Sequence, residues 1–183
     1  MPRAQQGDIF SNIDHIESLI PYGDNNIEIN RIVFPYVIVL SQDCDLEQDS
    51  NYYLANPKPS NDDKKLFSVI VAPLYNEEYL LTGSHLSDIG LIMQKIERGS
   101  AANPTSNYKN LIKNEIPRYH HIVFPGGTPM VNSVIDFKHY FTVNSQYLIE
   151  IKPKQFVCKV SELYRERISQ RFSNFLSRIG LPE

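Results

Sequence analysis

The chain of 183 residues has no tryptophan and only two cysteines, Cys44 and Cys158. Two widely separated thiols cannot staple a small secreted scaffold, which needs several bridges to stand in for a core. Free thiols in a reducing compartment are therefore expected. No sign of charge dominates: 18 Lys and Arg stand against 21 Asp and Glu, a net charge of −3. That balance excludes a global attraction to nucleic acid or anionic lipid, so any such binding must come from a local patch. Long apolar runs are missing too. The longest, around Ile32–Leu40, is interrupted by Pro35 and falls far short of the ~20 residues a membrane helix needs. The start, Met1-Pro2-Arg3-Ala4-Gln5-Gln6, lacks the apolar run of a secretory signal. The expectation is a cytoplasmic protein with no membrane association and no cofactor.

What is present suits one folded domain over residues 1–183. The composition is 42% hydrophobic and 21% charged, which argues against disorder. The expected class is α+β: a small β-barrel or strongly curved antiparallel sheet, with an inserted helix and a C-terminal amphipathic helix. Gly7-Asp8-Ile9-Phe10 reads as a turn entering a first strand, and residues 21–31 are dense in turn formers. The run from Ile32 to Leu40 is apolar on both faces and predicts a strand buried on both sides. Residues 66–72 predict a second strand ended by Pro73. Leu86, Ile89, Ile92, Met93 and Ile96 recur at helical spacing and predict a helix over about 86–98. A short helix is expected around 107–114. Strands are expected near 119–124, 133–143, 147–151 and 156–158. Barrel strands thus fall at about 7–75 and 118–158. Val160, Leu163, Tyr164, Ile168, Phe172, Phe175, Leu176 and Ile179 then form an apolar stripe over about 161–179. Ser161 is its candidate cap, and Gly180-Leu181-Pro182 its stop.

The most unusual segment is Asp43-Cys44-Asp45-Leu46-Glu47-Gln48-Asp49, with a carboxylate at every second position. In an extended chain all four acids share one face, ~7 Å apart, from twice the strand rise. Such a strip could hold a hard cation or bind a basic partner, with Asp43, Asp45 and Glu47 as binding candidates. Equally, the acids simply solvate a loop where the strand ends, as charge runs usually do. Cys44 is a candidate nucleophile if a histidine activates it, and His120, His121 and His139 are available. Its acidic neighbours would raise rather than lower a thiol pKa, and a small buried residue is the plainer reading. A zinc site from Cys44, Cys158, His120, His121 and Asp45 lacks the usual ligand spacing, so no metal is expected. Adjacent His120 and His121 point to opposite faces of a strand. Asp136-Phe137-Lys138-His139-Tyr140-Phe141 reads as a half-buried strand with His139 in its apolar face. From residue 151 onward seven basic residues face three acids. Arg165, Arg167, Arg171 and Arg178 form a candidate basic face for nucleic acid or for an acidic strip on another subunit.

Gly7-Asp8-Ile9, Phe34-Pro35-Tyr36-Val37-Ile38-Val39 and Val71-Ala72-Pro73-Leu74 occur in an order that resembles the MazF/PemK family over about residues 7–75. The resemblance implies an SH3-like barrel and, in active members, metal-independent cleavage of single-stranded RNA. The family's Arg before the Pro and its Thr or Ser after the Ala-Pro-Leu strand are replaced here by Phe34 and Tyr75. A phenyl ring neither stabilises a pentavalent phosphate nor moves a proton. The expected function is therefore a binding or regulatory module in a toxin–antitoxin or defence setting, working with a protein partner or as a homo-oligomer. Alternatives are a small hydrolase using Cys44 with a histidine, a degraded endoribonuclease, and a nucleic-acid module using the C-terminal Arg face.

Overall fold

A computed structural model describes residues 3–23 and 26–178. Seven strands, β1 (Asp8–Tyr22), β2 (Asn26–Val39), β3 (Val69–Asn76), β4 (Tyr119–Ile122), β5 (Ser133–Asp136), β6 (Phe141–Val143) and β7 (Phe156–Lys159), form one antiparallel sheet. Its order is β4-β5-β3-β2-β1-β7, with β6 also on β3. Among the described residues five helices accompany it: α1 (Asp43–Leu54), α2 (Glu77–Thr82), α3 (Ser106–Ile112), α4 (Ser145–Gln155) and α5 (Glu162–Leu176). The class is α+β with a C-terminal helix, and the sheet is open at β4 and β7 rather than closed into a barrel. The sheet nevertheless coils. The ring of His15 on β1 meets that of Phe141 on β6 at 4.7 Å, although β2 and β3 lie between those strands in the ladder.

Strand alternation splits the interior into two layers. Ile9, Ile38, Ala72, Leu74 and Ile135 face α5, where Ile168 and Phe172 cover them. Phe10, Val37, Val39 and Val71 face the other way, onto Leu46, Leu80, Leu111 and Leu148 from the remaining helices. The two-sided burial expected over Ile32–Leu40 holds for Val37–Leu40 only. Gly7 has φ +82°, and a Cβ there would come within 2.7 Å of Val160 Cγ2. That approach lets its carbonyl accept from the Val160 amide at the end of β7.

Several expected elements are corrected. Residues 21–31 are mostly strand, because β1 and β2 continue as a long hairpin arm, registered from Ile13↔Phe34 out to Tyr22↔Asn26. The acidic segment is helix α1, so its four carboxylates do not share a face. The span 86–98 is not helical beyond a short turn at Ser87–Ile89. Leu86 is buried while Ile92 is 93% exposed, because the segment runs back along α2 with Met93 and Ile96 amides bonded to Gly83 and Leu81 carbonyls. Residues 147–151 belong to α4, capped by the Asn144 side chain. Pro73 does not end its strand.

The span 133–143 is two strands, not one. Ile135 faces Leu74 and Phe141 faces Val71 on the same β3 edge. Five residues (136–140) therefore cover two of β3 (72 and 73), and the excess is looped out as the turn Phe137–His139. Pro73, with no amide hydrogen to donate, falls in that gap. Helix α5 starts after Ser161 as expected, but Leu163 is 71% exposed, so its apolar stripe is only partly covered. The expected stop at Gly180-Leu181-Pro182 and the stripe residue Ile179 lie outside the described residues. No helix among the described residues is long and apolar enough to cross a membrane.

Candidate functional site

The expected site residues do not converge. Cys44 is exposed near the start of α1, and its Sγ meets only Gln42 Oε1 and Asp45 Oδ1, both at 3.6 Å. No histidine hydrogen-bonds to it. Cys158, on β7, has a thiol pKa raised by burial. Asp43 is taken up structurally. Arg3 grips both its oxygens at 3.0 Å and the Gln6 amide donates to it. The Arg3 hydrogen bonds hold its carboxyl below the usual range. Asp49 is buried and accepts the Leu66 amide at 2.7 Å. Asp45 and Glu47 are exposed. Among the described residues no group of three or more His, Cys, Asp or Glu is placed to hold a metal.

The expected basic face is divided. Arg171 donates to the Ile116 and Tyr119 carbonyls at 2.8 and 2.9 Å. Arg165 leans toward Asp43 at 3.8 Å. Arg167 and Arg178 alone are exposed. His120 and His121 do point to opposite faces. His120 is 2% exposed, near Phe137, with neither ring nitrogen partnered. Burial, reinforced by Arg171, pushes its pKa down to about 4, so it is neutral at pH 7.

Two clusters of polar side chains emerge instead. In the first, His121 Nε2 lies 3.0 Å from Glu77 Oε2, and Glu77 Oε1 accepts from Arg98 at 3.0 Å and Tyr108 at 3.2 Å. Burial alone would push the Glu77 carboxyl up. The hydrogen bonds and charges of His121, Tyr108 and Arg98 outweigh it and leave the pKa below the ordinary value. These residues come from α2, the loop before α3, α3 itself and β4. They line an open cleft of ≈ 870 Å³ with Ser100, Ile112 and Asn132. Among the described residues none hydrogen-bonds to His121 Nδ1, and that atom is not sealed from solvent. A carboxylate on Nε2 that leaves Nδ1 free is the arrangement of an oriented acid–base histidine.

The second cluster is closed. Asp136 is fully buried and accepts from Arg118 Nε at 2.8 and 3.0 Å. His139 Nδ1 lies 2.9 Å from Tyr75 Oη and 3.4 Å from Asp136 Oδ2. The His139 expected on a strand face is thus carried by the looped-out turn. Burial lowers its pKa despite the nearby Asp136 charge. Phe34, in the other position where the resemblance implies a cutting residue, stacks on Phe141 at 5.2 Å.

Glu77, Arg98, Tyr108 and Arg118 carry no local sequence signal of a site. The only hint is Asn76 before two acids, a helix start whose side chain caps Glu78. The arm is the remaining feature of note. On one of its faces Ile16, Leu19, Ile27, Ile29 and Val33 are each 49–61% exposed. No protein-family model and no curated protein matches the chain.

Proposed function

We propose that the protein is a binding module acting through the β1–β2 arm, in the toxin–antitoxin or defence setting that the strand resemblance implies. The observation that carries this reading is the apolar arm face just described. An isolated two-stranded hairpin is marginally stable in water, and contiguous exposed apolar patches mark interaction sites. Aromatic packing at Phe34 and the buried hydroxyl of Tyr75, whose pKa burial pushes up, support binding over RNA cleavage. The test is retention on immobilised full-length chain, compared with Leu19→Asp. The wild type is expected to retain a copy of itself or a defined protein that rebinds after purification, and the variant to lose it. Retention of neither, or retention untouched by the substitution, overturns the reading.

A second reading, a small acid–base hydrolase, is favoured by the Glu77–His121 cleft rather than by Cys44. It predicts turnover on a panel of simple esters and phosphodiesters that His121→Gln abolishes and Cys44→Ser leaves intact. Absence of turnover across the panel sinks it.

A further inference from the structure

We infer that the arm docks on the arm of a second copy of this chain, apolar face to apolar face about a two-fold axis. This rests on the binding reading above and names its occupant. In such a contact each surface meets its own duplicate, so like charges are the main obstacle. Among the cross-strand pairs of the face from Ile16 outward, one residue is charged, Arg31, and it is held by Asp14 at 3.3 Å on the same face. Its outer part, Leu19, Pro21, Ile27 and Ile29, is uncharged. The opposite face is polar midway along, where Asn30 donates to Ser18 at 3.1 Å and Glu28 follows.

Along β1 the arm is also blunted against edge-to-edge pairing. The register shifts between Ile16 and Ser18, bulging β1 at Glu17, and Pro21 removes an amide donor near the tip. Both devices blunt a strand edge. The faces have no such protection. Five large apolar residues of this face, Ile16, Leu19, Ile27, Ile29 and Val33, are each about half exposed or more. At roughly 150–200 Å² per fully exposed large side chain, they offer on the order of 400–550 Å² per protomer. Two such faces together bury about 800–1,100 Å², the size of a weak, dissociable contact.

Sedimentation equilibrium on the full chain tests this directly. The wild type is expected to be a dimer at about 100 μM, dissociating on dilution through the micromolar range. Leu19→Asp, whose cross-strand neighbour is Ile29, is expected to be monomeric with an unchanged circular-dichroism spectrum. Ser18→Asp, on the other face, is expected to remain dimeric. A wild type that is monomeric at that concentration overturns the inference, whatever the variants do. A dimer that survives Leu19→Asp overturns it too. If the wild type is monomeric but still retains another protein that Leu19→Asp releases, the occupant is wrong and the binding reading stands.

Discussion

Glu77 and His121, 44 positions apart in the chain, are held 3.0 Å apart by carboxylate and imidazole. Both are almost entirely buried, so water compensates only in part for a lost partner. Replacing Glu77 with Leu strands His121, Tyr108 and part of Arg98 at once. A loss of about 3 kcal/mol is expected by urea denaturation. The carboxyl pKa is lowered in the fold, so this contribution is present above the unfolded value and fades as pH falls through the folded one. The gap between wild type and Glu77→Leu should therefore narrow in acid.

Arg118 and Asp136 form the deeper pair. Removing Arg118 alone (Arg118→Ala) leaves a carboxylate with 0% exposure and no counter-charge, at a cost of about 3–5 kcal/mol. The double substitution Arg118→Met with Asp136→Leu should be much milder, since it removes the charge as well as its partner. Thermal melts of the two variants check the order.

His120 makes the protein sensitive to mild acid. The unfolded chain takes up a proton at this ring near pH 6.5, while the folded ring waits until about 4. Stability is thus unaffected above about pH 7 and falls between those values, by on the order of 3 kcal/mol from this group alone. In His120→Leu that component should vanish, flattening the dependence of the urea midpoint on pH between 7 and 4.

Gly83 sits at φ +75°, and a Cβ there would lie 2.2 Å from the Met93 carbonyl oxygen. Since the Met93 amide bonds back to the Gly83 carbonyl, neither backbone can move away independently. Gly83→Ala should cost about 2 kcal/mol or more, and hydrogen exchange should report the loosening over residues 84–96 first.

The strands that share one motif order, around Ile9, Val37–Val39 and Val71–Leu74, were readable because burial on both faces leaves a continuous apolar run. So was α5, whose Ile168 and Phe172 are anchored in the core. Residues 147–151 were not, since Tyr147-Leu148-Ile149 has strand propensity and only the Asn144 cap and the packing of Leu148 make it helical. Residues 86–96 show the converse: a helical period without enough burial on one side, broken at Gly90 with φ +77°. The arm was hidden for a simpler reason. Pro21, Gly23, Asp24, Asn25 and Asn26 read as turn formers, but alternation of Asn26, Glu28 and Asn30 with Ile27 and Ile29 is the strand signal. Glu77 and Arg118 lay beyond reach because pairs distant in sequence are set by topology alone.

Asp8 pairs with Lys159 across β1 and β7, so about 150 residues must leave the ribosome before that ladder can form. At roughly 5–20 residues per second the β1 edge stays without its neighbour for roughly 8–30 s. The β1–β2 hairpin, made of contacts close in sequence, forms far sooner, within microseconds. The nascent chain therefore presents a marginally stable hairpin with an open inner edge for much of its synthesis. A chaperone that masks strand edges would meet its greatest need at that stage.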